Sequence, residues 1–147
     1  MNKQQTQPAA VAHIQGDSVH PSLRGAVRFY PRSNGTWVEV EIIGLPDSES
    51  GFFGFHIHEG QDCSGVGFAA TGGHFNPLKR PHPQHPGDLP PLLSAHGTAN
   101  LSVLTGRFRI TDIIGKTVVI HSKPDDFTTQ PSGNAGSKIA CGVIRRT

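Results

Sequence analysis

Tryptophan, tyrosine and methionine occur once each in 147 residues, cysteine occurs twice, and charged residues make up only 16% of the chain. Each scarcity excludes something. Cys63 and Cys141 lie too far apart for the Cys-x-x-Cys spacing of a structural zinc site or a thioredoxin-like redox motif, so they are either free core thiols or one long-range disulfide. The formal net charge is +2, and no Lys/Arg cluster exists beyond Arg145 and Arg146, so nucleic acid is not expected as a partner. No apolar run is long enough to span a bilayer. The N-terminal "MNKQQTQPAAVAHIQG" lacks the apolar stretch of a signal peptide, so a cytoplasmic protein is expected, with a mature exported form as the alternative. A sustained helical period of apolar residues is also missing.

Glycine (18) and proline (12) instead make up about a fifth of the residues, which favours short strands joined by tight turns. The length suits one domain, with residues 1–8 as a disordered tail and 9–147 as the folded unit. "GAVRFYP" alternates Val27 and Phe29 against Arg28 and Tyr30, and "TWVEVEIIG" alternates Val38, Val40 and Ile42 against Glu39 and Glu41. Asn34-Gly35 between them predicts a hairpin with a type I′ turn. "AVAHIQG", "GFFGFHIHE", "TANLSVL", "GRFRI", "TVVIHS" and "KIACGVI" complete a set of about eight antiparallel strands, hence an all-β sandwich or barrel. Two long loops interrupt it, from Gly60 to about Ala95 and over "KPDDFTTQPSGNAGS". Structureless loops of that length inside a compact domain carry function more often than not.

Histidine is the one excess. Seven of nine lie between residues 56 and 121. In the strand-like "GFHIHEG", His56 and His58 project to one face and Phe55 and Ile57 to the other. With His121 they form an all-nitrogen ligand set suited to copper. In the first loop, His74, His82, His85 and Asp88 are chemically sufficient for one closed four-ligand zinc site. His13, His20 and His96 have no such company and are assigned no role. Phe52, Phe53, Phe55, Phe68 and Phe75 read as core or loop-anchoring residues.

"GFHIHEG", "GGHFNP", "HPGDLP", "VVIHSKPDD" and "GNAGSKIACGVI" occur in one order over about two thirds of the chain, and in that order the chain resembles the copper/zinc superoxide dismutase family. The resemblance implies an immunoglobulin-like Greek-key barrel of eight strands. It implies an enzyme that converts superoxide to oxygen and hydrogen peroxide by alternately reducing and reoxidising copper, with zinc as support. Copper would be held by His56, His58, His74 and His121, and zinc by His74, His82, His85 and Asp88. His74 would bridge the two metals and carry a proton. Asp125, rather than its neighbour Asp126, would orient histidines of both sites. Cys63 and Cys141 would form the family's disulfide.

The chain departs from the family's pattern in several places. Lys138 stands where the family has an arginine beside the metal-bound anion; it keeps the charge and loses the planar fork. Ser132 takes the place of a small hydroxyl residue lining the channel. Only two residues separate His82 from His85, where the family has a longer excursion, and the second loop lacks the charged rim of many relatives. Two other readings compete with the dismutase. One is a non-catalytic copper/zinc-binding module of the same fold. The other is a zinc hydrolase, because an H-x-H pair on a strand serves such enzymes too. Many family dimers use an apolar C-terminus, and Arg145 and Arg146 would be costly there, so a homodimer is expected to use another face.

Overall fold

The computed structural model describes residues 7–147. Its strands, in chain order, are β1 (Ala10–Gly16), β2 (Arg24–Arg32), β3 (Gly35–Ile43), β4 (Phe52–Phe53), β5 (Phe55–His58), β6 (Leu92–Leu93), β7 (Ala99–Thr105), β8 (Thr117–His121) and β9 (Lys138–Arg146). Seven of them form one antiparallel sheet, ordered β5-β8-β9-β1-β2-β3-β7, and β4 pairs with β6 in a separate ribbon. The sheet curls around a core in which Phe29, Phe53, Phe55, Ile57, Leu92 and Ile120 are fully buried. Burying side chains of this size stabilises the fold by about 1.5–3 kcal/mol each.

The alternation read in the sequence sets the inward face. Val27 opposes Val40 and Phe29 opposes Val38, all buried, while Arg28 and Glu41 face outward and pair at 3.0 Å. Tyr30 is buried as well, covered by the Arg32 guanidinium 5.7 Å from its ring. The β2–β3 hairpin is present, with a different turn. Arg32 pairs with Gly35, so Ser33 and Asn34 are the loop, and of Asn34 and Gly35 only the glycine has positive φ, 146°.

Two expected strands differ. "GFFGFHIHE" is split at Gly54, whose N–H and C=O bond to Lys123 O and His121 N, so β4 and β5 belong to different sheets. "GRFRI" is no strand. Phe108 turns into the core edge-on to Phe29, its carbonyl accepts a bond from the Thr36 hydroxyl at 2.9 Å, and a helical turn, α1 (Ile110–Ile113), follows. Two buried residues at alternate positions, Phe108 and Ile110, therefore mimic a strand while the backbone leaves the sheet. Of the expected tail, residues 1–6 lie outside the described residues; Pro8 O accepts a bond from the Thr147 hydroxyl at 2.6 Å.

The long first loop is laid across the free edge of β5. Ile57 N donates to Gly87 O, Phe75 N to Ile57 O and Glu59 N to Gly73 O, which puts His58 opposite His74 and His56 opposite Asp88. The loop approaches so closely that a Cβ on Gly87 would lie 2.3 Å from Ile57 O. Every residue of β5 is consequently buried, its apolar side by the core and its histidine side by the loop.

Cys63 and Cys141 are bonded to each other, with Cα atoms 5.9 Å apart, and tie the start of this loop to β9. For a sequence separation of 78, the cross-link removes chain entropy worth at most about 4.5 kcal/mol from the unfolded state. Cys63→Ser is expected to lower the urea midpoint of the metal-free protein by a corresponding amount. An unchanged midpoint would show that the loop is held without the bond.

Candidate metal centre

His56 and His58 point away from the core on β5, and His74 meets them from the loop. His121 ends β8, where a bulge between Ile120 and His121 shifts the register so that His121 stands opposite Lys138. A bulge re-aims the side chain that follows it. The result includes two four-residue groups, each with its ligand atoms within 4.8 Å of one another: His56, His58, His74 and His121, and His74, His82, His85 and Asp88. His74 belongs to both. The two-residue spacing of His82 and His85 thus does not keep either from the second group.

Carboxylates and carbonyls only accept hydrogen bonds, so the partners decide which ring nitrogen carries the proton. His56 donates through Nε2 to Asp125 Oδ2 at 2.8 Å, and His82 through Nε2 to Asp125 Oδ1 at 2.7 Å. Each is left with a bare Nδ1, and both atoms are buried without a hydrogen-bond partner. His58 donates through Nδ1 to Gly72 O at 2.8 Å, leaving Nε2 bare, 3.1 Å from His121 Nε2. His74 Nδ1 lies 2.8 Å from Asp88 Oδ1, and its Nε2 is a third buried nitrogen without a partner.

Unpartnered buried ring nitrogens are costly unless something else satisfies them. These three belong to the two ligand groups, and their neighbours are further bare nitrogens and one carboxylate. Four nitrogens without sulfur suit copper; three nitrogens with one carboxylate suit tetrahedral zinc. The residues present fit both metals.

The electrostatics agree. Burial pushes His58 down to about 2 and His121 to about 3, and it lowers His56 and His85 as well, so these rings stay neutral and able to ligate at ordinary pH. Burial alone would raise Asp125, but the bonds from His56, His82 and the Phe127 N–H outweigh it and hold the carboxyl far below the carboxylate range.

A cleft of about 430 Å³ opens onto this centre, lined by His58, His74 and His121 at its base and by Ser132 and Lys138 at its side. Lys138 Nζ donates to Thr71 Oγ1 at 2.7 Å and to Gly72 O at 2.9 Å. All residues expected at the site are therefore together. Thr71 and Gly72 are additions, for which only their place just before His74 was a signal in the sequence.

The comparisons with known proteins point the same way. Residues 23–144 match the family described as Copper/zinc superoxide dismutase (SODC). The chain belongs to the copper/zinc superoxide dismutase family. It is 37% identical to copper/zinc superoxide dismutase 3 of Arabidopsis thaliana, over 92% of this chain and 88% of that protein. It is 34% identical to the copper/zinc superoxide dismutase of Deinococcus radiodurans, over 84% and 78%. Among solved structures, a double mutant of a SOD-like protein from Bacillus subtilis superposes with a TM-score of 0.78 at 28% identity, covering 92% of this chain and 96% of that one. Membership implies copper and zinc as cofactors, in agreement with the donor sets.

The depressed histidines set an acid limit on the metal-free fold. Their ordinary value is 6.5, so below that pH the unfolded chain binds protons that the folded chain refuses. The stability they contribute is complete above about pH 6.5 and is lost as pH falls toward 3. Asp125, held low, acts in the same direction in the lower part of that range. Urea midpoints of the metal-free protein should therefore fall on acidification through this window, and a flat profile would contradict the burial of neutral rings.

Proposed function

We propose that this protein is a superoxide dismutase, with copper on His56, His58, His74 and His121 and zinc on His74, His82, His85 and Asp88. The observation that carries the reading is the pair of ligand groups sharing His74, with bare nitrogens aimed into them. Bound there, copper would supply the one-electron redox chemistry that converts two superoxide ions and two protons to oxygen and hydrogen peroxide, and zinc would supply charge without redox chemistry.

The chain's own residues do the rest. His58 and His121 line a cleft with ample room to admit a small anion. Gly72 O fixes the His58 ring, and Asp125 fixes His56 and His82, so these three rings keep their orientation between half-reactions. His74 Nε2 is buried and unpartnered on a ring that lines the cleft, which makes it the atom able to hold a proton between the two electron transfers. Zinc-side contacts at Nδ1 keep that ring in place.

Lys138 supplies the positive charge of the cleft wall. An ammonium has three N–H donors, and two are committed to Thr71 and Gly72. One remains for superoxide. Ser132 lies on the same wall. Arg145 and Arg146 are exposed at the C-terminus, which supports placing any homodimer contact on another face.

Protein reconstituted with Cu²⁺ and Zn²⁺ should dismutate superoxide with about one of each metal per chain. Copper bound without turnover would instead identify a non-catalytic metal-binding module. Lys138→Ala should lower the rate more at low than at high ionic strength, since attraction between charges is screened by salt. Equal losses at both salt concentrations would remove lysine from steering.

A further inference from the structure

The segment carrying His82 and His85 is held by side chains from elsewhere in the fold. The Gln130 side chain makes a reciprocal pair with the backbone of His82: its Oε1 accepts the His82 N–H at 2.9 Å, and its Nε2 donates to the His82 carbonyl at 2.7 Å. Forty-eight residues separate the two. The Arg107 guanidinium, from the turn after β7, donates to Pro83 O at 2.7 Å and His85 O at 3.3 Å. Neither Gln130 nor Arg107 touches the ligand atoms.

The ring and the main chain of His82 are thereby gripped independently. Asp125 holds the ring at Nε2, and Gln130 holds the backbone at both of its polar groups. Asp125 and Gln130 lie on the same loop, five positions apart. That loop folds tightly against the pair: Gly133 has φ of 73°, and a Cβ there would meet Asp125 Oδ1 at 2.0 Å and His82 Nε2 at 2.6 Å. His82 Nδ1 is left facing Asp88 Oδ2 at 3.0 Å, without hydrogen-bond geometry.

With only Pro83 and Gln84 between His82 and His85, the segment has little chain of its own with which to set the direction of either ring; its local turn bonds run from Gln84 N to Pro81 O at 2.8 Å and from Asp88 N to His85 O at 2.9 Å. We infer that Gln130 is a positioning residue for His82, fixing the backbone from which that ring reaches the zinc group in place of the longer loop this chain lacks, with Arg107 holding the carbonyls of Pro83 and His85. The inference rests on His82 being a zinc ligand, as proposed above.

The amide of Gln130 can be replaced by a group of the same shape that does half its work. A glutamate at 130 still accepts the His82 N–H, but it cannot donate to the carbonyl and sets a negative charge against it. Zinc affinity of the copper-free, disulfide-bonded protein, measured by competition with a chromophoric chelator, should fall about 10- to 100-fold in both Gln130→Glu and Gln130→Ala, the range seen when supporting contacts of a metal ligand are removed. Cobalt placed in the zinc site should show an altered visible absorption in the same variants. Copper affinity at the other ligand group should change much less.

Zinc affinity within about twofold of the parent in both variants would overturn the inference, as would parallel losses of copper and zinc with a lowered urea midpoint, which describe general loosening. If Gln130→Ala fails to fold, the isosteric Gln130→Glu decides alone. His82→Ala is measured beside them. Undiminished zinc binding there would remove the ligand reading and the inference with it, whereas absence of dismutation by the loaded parent bears on the proposed activity and leaves the zinc measurement standing.

Discussion

One carboxylate orders the centre. Asp125 is buried, accepts from His56 on one oxygen and His82 on the other, and so ties a histidine on the edge strand β5 to a histidine in the long loop. A buried carboxylate without partners would be costly, and the two imidazole N–H groups together with the Phe127 amide satisfy it. The same bonds assign the tautomers. With Nε2 protonated on both rings, both Nδ1 atoms are left free to ligate, one in each donor group. The copper and zinc readings therefore follow from a single hydrogen-bond arrangement, and neither set can be turned without disturbing the other.

That arrangement needs rigid support on both sides, and the fold supplies it unequally. On the copper side, His56 and His58 are strand residues in register with Val119 and Thr117, held by a ladder that the core would resist deforming. The residues of the proposed zinc group come from irregular chain. Backbone bonds from Ile57, Phe75 and Gly87 lash the loop to the strand edge, and the disulfide closes its beginning onto β9. The short stretch around His82 is reached by none of these, which is why side chains from β7's end and from the second loop take over there.

Much of this was legible in the sequence, for identifiable reasons. Period-two spacing in "FHIH" places two imidazoles on one face whatever else the chain does. Ligand chemistry then separates nitrogen-only from nitrogen-plus-carboxylate sets, and the order of five motifs narrows the family. What could not be read depended on contacts between distant segments. Phe108 and Ile110 are buried at alternate positions, and nothing local distinguishes that from a strand; the Thr36 hydroxyl and the Phe29 ring decide it. The hairpin was predictable from Asn34-Gly35, but its register belongs to the pairing of β3 with both neighbours, which moved the turn one residue back. Gln130 and Thr71 carry no motif at all. Each becomes visible only when a partner 48 or 67 residues away is brought beside it.

The replacement of a guanidinium by Lys138 illustrates how such contacts determine what a substitution means. A guanidinium could keep two donors on the wall and still present a planar pair to an anion. The ammonium reaches the same wall atoms, Thr71 Oγ1 and Gly72 O, and has one proton left. In the role proposed for Lys138 charge would be conserved, so long-range attraction of an anion would survive; the second directional bond would not, so orientation within the cleft would rely more on the centre itself. Gly72 O also receives the His58 N–H. The cation of the wall and a ring at the base of the cleft therefore share one carbonyl, and a change in the lysine's position would be felt at the ligand through that atom.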